Sequence, residues 1–93
     1  MANAALEALT KSLANELGPQ LRVNCLSPGL ARTEAFAGMP AVKQDAMFSA
    51  VADKLLVKRA GEAADMGEAT VALLANGYIT GAVLRVDGGH TVM

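Results

Sequence analysis

Two stretches of this chain read as β-strands, LRVNCL at 21–26 and AVLRV at 82–86, and all of residues 27–81 lie between them. Strands so far apart are not a hairpin. A crossover of this length, holding helices, joins parallel neighbours with a right-handed connection. Two parallel strands do not make a sheet that stands alone, because parallel sheets need further strands and cover on both faces. The expected fold class is therefore α/β: two parallel strands with flanking helices, the last third of such a domain, in a single partial domain over 1–93. The first strand breaks at Pro28-Gly29 and the second at Asp87-Gly88-Gly89.

The helices follow from spacing. At 2–17, Leu6, Leu9, Leu13 and Leu17 recur on one side with Ala2 and Ala5, at the i, i+3, i+4 period of a helix. Gly18-Pro19 stops this helix, with Gly expected in the left-handed position. Residues 30–58 form a loop or lid with a weak helical stripe at Val42, Ala46, Met47, Ala50, Val51 and Leu55, then an extended exit at 54–58. Residues 63–75 predict a second firm helix. Asp65 lies in its first turn, against the positive helix end, and Asn76-Gly77 supplies its C-cap.

Composition narrows the function. Hydrophobic residues make up 53% of 93 residues; a chain this short buries only roughly 60–65% of its unfolded surface. It must pack tightly or have apolar area covered by a partner. The net charge of −1, without a basic block, argues against nucleic acid and against a polybasic membrane surface. Cys25 and His90 are the only residues of their kinds, so no Cys/His metal cluster and no disulfide are expected. Cys25 reads as a small buried apolar residue rather than a nucleophile, and Asn24 as satisfying backbone rather than doing chemistry. No apolar run approaches the ~20 residues of a membrane span. The N-terminus does not read as a signal peptide, so a cytoplasmic protein is expected.

The run AALEALTKSLANEL, then RVNCLSPGLART, RAGE, GYITG and VDGG resembles the C-terminal part of the short-chain dehydrogenase/reductase family. Each motif is weak alone; five in order at family spacing are specific, and they cover nearly the whole chain. The resemblance implies a doubly wound Rossmann-type sheet and NAD or NADP as cofactor. It also implies hydride transfer between nicotinamide and an alcohol or carbonyl substrate. The family's Gly-rich nucleotide turn and catalytic Ser would lie upstream. Aligning AAL with Ala4-Ala5-Leu6 puts Asn3 where the family has its Lys, and the Tyr position just before Met1. Tyr78 belongs to the GYITG turn and is no substitute.

By this resemblance Pro28, Gly29, Ala31 and Thr33 line the nicotinamide. The Thr33 hydroxyl and a backbone group near Ala31 would bind the carboxamide, and Gly29 would let backbone approach the ring. Pro28-Gly29 could equally just turn the strand, with Thr33 capping a helix. Phe36, Met39, Met47 and Phe48 would cover a small apolar substrate, or serve as core contacts. No catalytic residue and no metal ligand is expected. The 93 residues are expected to be inactive by themselves, as a piece of an oxidoreductase; the other reading is a non-catalytic interaction or oligomerisation module derived from that fold. The helix at 2–17 would serve a homo-oligomer or docking on another subunit.

Overall fold

A computed structural model describes residues 2–32 and 34–93; Met1 and Thr33 lie outside the described residues, as do the side chains of Ala2, Asn3 and Ala35. The fold has two compact units, 1–27 with 68–85 and 28–67 with 86–93.

In the first unit, helix α1 spans Ala2–Leu17. Its inward face is Thr10, Leu13, Ala14 and Leu17, while Leu6 and Leu9 are 50% and 52% exposed. The buried stripe is thus rotated from the one expected. Thr10, 4% exposed, tolerates burial because its hydroxyl donates to the Leu6 carbonyl at 2.8 Å. Gly18 is not left-handed; the helix closes through Gly18 N–H to Ala14 O and Leu21 N–H to Leu17 O.

Strand β1 is Cys25–Pro28 rather than 21–26, and β4 is Val83–Val86. Cys25 N–H donates to Ala82 O and, in the second unit, Gly29 N–H to Val86 O. The constant offset makes the two strands parallel neighbours. Residues 22–24 are not strand because side chains take the place of ladder bonds. Val23 N–H donates to Thr80 Oγ1. Asn24 Nδ2 donates to Ile79 O, and its Oδ1 accepts from Ala82 N–H. Arg22 donates to the carbonyls of Leu73, Leu74, Asn76 and Ile79 at 2.8–3.0 Å. It caps the C-terminal end of helix α3, Ala63–Ala75, where the unsatisfied carbonyls and the helix dipole both favour a cation. Gly77 has no positive φ, so the expected glycine cap is replaced by this arginine and by Asn76 Oδ1, which accepts from Tyr78 N–H.

The second unit holds strand β2 (Ala31–Arg32), a 3-10 turn at Glu34–Phe36, helix α2 (Ala41–Lys54) and strand β3 (Gly61–Glu62). β2 and β3 pair in parallel, Ala31 opposite Gly61. The core is Phe48, Leu55 and Ala31, 2%, 4% and 7% exposed. Helix α2 turns Gln44, Met47, Phe48, Val51 and Ala52 inward; Val42, Ala46 and Ala50 of the expected stripe are exposed. The bulk of Phe48 decides the rotation, since its ring carries more apolar area than the alanines it displaces. Gly88 and Gly89 take positive φ, and Cβ atoms there would meet Val57 and Leu56 at 3.0 Å and 2.6 Å. Glycine is therefore required on both counts in this turn.

Candidate functional site

The connection from β1 to β2 is built by close backbone packing. A Cβ at Gly29 would lie 2.7 Å from Asp87 Cα and 2.8 Å from Asp87 Cβ. Only glycine lets β1 end against the start of the Asp87 turn. Leu30 O accepts from Gly61 N–H at 3.2 Å. In that register the N–H and C=O of Ala31 itself face away from β3. The Ala31 side chain is buried beside Gly61. The loop thus offers one backbone donor and one acceptor beyond the carboxyl end of a parallel strand, where ligands of such sheets bind. Pro28 is exposed at the strand end. Thr33, the expected hydroxyl partner, lies outside the described residues.

Of the four residues expected to cover a substrate, the structure brings two together. Phe36 and Phe48 meet edge to face, with centroids 5.4 Å apart at 85°. Phe48 is buried, which fits a core contact; Phe36, Met39 and Met47 are half-buried. Gln44 Nε2 donates to Phe36 O at 2.7 Å and Met39 O at 2.8 Å, fixing the approach to α2. Arg32, which the sequence did not single out, lies over the Phe48 ring at 4.6 Å and donates to Asp45 at 3.0 Å. Arg32, Phe48, Lys58, Arg59 and Glu62 line a cleft of about 310 Å³.

Two carboxylates are tuned by their hydrogen bonds. Arg59 grips Asp65 through both nitrogens, at 2.8 Å and 2.9 Å, and Glu62 N–H adds a third bond. Together these hold the Asp65 carboxyl down at about 2. The start of α3 is therefore pinned by the hydrogen bonds of the Asp65 carboxylate. The Thr91 hydroxyl, with the N–H groups of Gly89 and Thr91, holds Asp87 below the usual carboxylate range. Both are turn-forming arrangements. Tyr78 is 99% exposed, and the residue four positions on is Ala82, so it forms no Tyr-Lys pair. Cys25 is buried. No cluster of three metal-ligating side chains occurs among the described residues, and no described helix is long and apolar enough to cross a membrane. Arg22 and Arg32 escaped the sequence reading because the partners of each lie on other elements.

Residues 1–91 match the family model described as enoyl-(acyl carrier protein) reductase. Among curated relatives, a short-chain dehydrogenase/reductase, ucsE, of an Acremonium species is 39% identical over 97% of this chain and 34% of its own length. A 3alpha-hydroxysteroid dehydrogenase of Mediterraneibacter gnavus is 38% identical over 90% of this chain and 33% of its own. The chain thus spans about a third of the length of the curated relatives it matches. Among solved structures, a small-chain dehydrogenase in complex with NADPH superposes with a TM-score of 0.87 at 48% identity, over 98% of this chain and 41% of that one. A 4-hydroxyisoleucine dehydrogenase complexed with NADH gives 0.79 at 32%, over 97% and 37%.

The family implies NAD(P). Backbone groups at the end of β1 suit a carboxamide, whereas none of the nine glycines falls in the G-x-G-x-x-G spacing that receives a pyrophosphate. By the extent of the family match and by its parallel β1–β4 pair flanked by helices, this chain belongs to the short-chain dehydrogenase/reductase family.

Proposed function

We propose that these residues form the nicotinamide-side wall and substrate cover of an NAD(P)-dependent oxidoreductase, and that by themselves they do not catalyse hydride transfer. When bound, the nicotinamide supplies or accepts the hydride exchanged with an alcohol or carbonyl carbon. The part of this chain is positional. Gly29, Leu30 and Ala31 present backbone to the carboxamide, Pro28 ends the strand that carries them, and Thr33 adds its hydroxyl. Phe36, Met39 and Met47 give α2 and its approach an apolar surface toward a small substrate, seated on Phe48. The observation that carries this reading is the Ala31 backbone turned away from β3 at the carboxyl end of β1. The family's proton transfer uses a Tyr with a Lys four positions on, and this chain has no such pair, since Ala82 stands four positions after its only Tyr, Tyr78. A titration with NADPH or NADH, read amide by amide, tests the assignment.

A second reading is favoured by exposed apolar side chains. Val71, Leu74 and Leu84 in the first unit are 63%, 70% and 37% exposed, beside the half-exposed Leu6 and Leu9. A non-catalytic module that pairs with itself or docks on a related subunit would cover them. Light scattering on the purified chain separates the readings: a concentration-dependent dimer supports docking, and a monomer at every concentration with cooperative melting rejects it.

A further inference from the structure

Strand β2 is two residues long and pairs with a strand equally short. So brief a ladder holds backbone weakly. Yet Ala31 is the residue whose backbone groups the proposed cofactor wall depends on. Its neighbour Arg32 makes the stronger tie. The guanidinium lies 4.6 Å from the centroid of Phe48 and reaches Asp45 at 3.0 Å. Asp45 and Phe48 stand three residues apart on α2, so they share one helix face. One planar guanidinium holding two points on that face fixes the rotation of α2 as well as its distance. The Asp45 contact alone would do little, since Asp45 is 70% exposed at its side chain. The Phe48 contact differs, because a ring only 2% exposed has no other place to go. Phe48 in turn meets Phe36 edge-on, and Gln44 bonds the Phe36 carbonyl. The chain of contacts runs from β2 through α2 to the turn before it.

We propose that Arg32 is a positioning residue that makes β2 and α2 move as one body. Any displacement of the substrate cover is then felt at the backbone of Ala31. The functional consequence rests on the reading that β2 lines the nicotinamide; the mechanical coupling does not.

Amide hydrogen exchange on the 93-residue chain without cofactor tests it, because two reporters are available. The Gly61 amide, bonded to Leu30 O, reports β2, and the amides of 45–54 report α2. In Arg32→Met both should exchange faster together, by about three- to ten-fold. Cys25 N–H, in the other unit, should keep its rate. Arg32→Lys, which can still stack and pair, should recover most of the protection. A rise in α2 alone, or in neither reporter, overturns the proposal. Should Arg32→Met also release Cys25 N–H, global unfolding is the cause and Arg32→Lys decides. Protection of both reporters near the parent level then supports the proposal, and loss of either rejects it. A failure here leaves the cofactor reading intact, and a failure of NADPH to reach the loop leaves the coupling intact.

Discussion

Arg22 shows what a single residue can do across the chain. Its four hydrogen bonds satisfy the carbonyls of Leu73 and Leu74 in the last turn of α3, which holds no basic residue, and those of Asn76 and Ile79 beyond it. A charged donor to several carbonyls contributes roughly 1.5–3 kcal/mol where it is desolvated, and less at an exposed site such as this. Arg22→Met should therefore lower stability by about 1–2 kcal/mol, read as a lower urea midpoint with an unchanged slope. Arg22→Lys should recover only part, because an ammonium cannot span four acceptors as a planar fork does. An unchanged midpoint in the Met variant would remove the capping account. The sequence shows Arg22 only as a polar residue within the expected strand 21–26; its partners lie 51–57 positions away. Asn24 was more legible, since a polar side chain amid apolar neighbours must bond something, and it bonds Ile79 O and Ala82 N–H. Gly29 could be recognised as a needed glycine, but not the reason. The close neighbour is Asp87, which the sequence places far from it.

At the scale of elements, what could be read locally was read. Helices α1 and α3 carry strong helix formers and clear stops, so their ranges emerge from the sequence. Which face is buried did not emerge. In α1 a polar Thr10 goes inward and in α2 one phenylalanine outweighs several alanines, and both outcomes depend on neighbours. The β2–β3 pair has no periodicity at two residues per strand, so no pattern could reveal it. The start of α3 allows a test by pH. The Asp65 carboxyl is held at about 2, against 3.8 for an ordinary aspartate. A depressed carboxyl adds stability that is fully present above pH 3.8. That stability is lost as pH falls from 3.8 toward 2, because the unfolded chain binds the proton first. Melting temperature should fall through that window, with Asp87 adding to the loss in the same direction. Asp65→Asn should lower stability at neutral pH and flatten the acid dependence. An acid profile identical to the parent's would show that the Arg59 clamp does not act on folding.

For the molecule as a whole, the thin core is the main constraint. Among the described residues the buried apolar set is Cys25, Ala31, Phe48 and Leu55, in a chain of which 53% is hydrophobic. The remaining apolar surface suits contact with other protein surface; the chain spans about a third of the length of the curated relatives it matches. Family and fold class were legible because five spaced motifs and a strand–crossover–strand order belong to the whole chain rather than to any one contact. The candidate site was legible only as far as its loop, since the acceptor and donor of Ala31 depend on pairing with Gly61. The central claim is that this loop meets the nicotinamide and not the adenosine half of the cofactor. Amide chemical shifts of the labelled chain, titrated in parallel with NADPH, nicotinamide mononucleotide and ADP-ribose, test it directly. The account predicts that NADPH and nicotinamide mononucleotide move the signals of Gly29, Leu30, Ala31 and Arg32, while ADP-ribose leaves them in place. Silence from all three ligands, or equal movement with ADP-ribose, would contradict it.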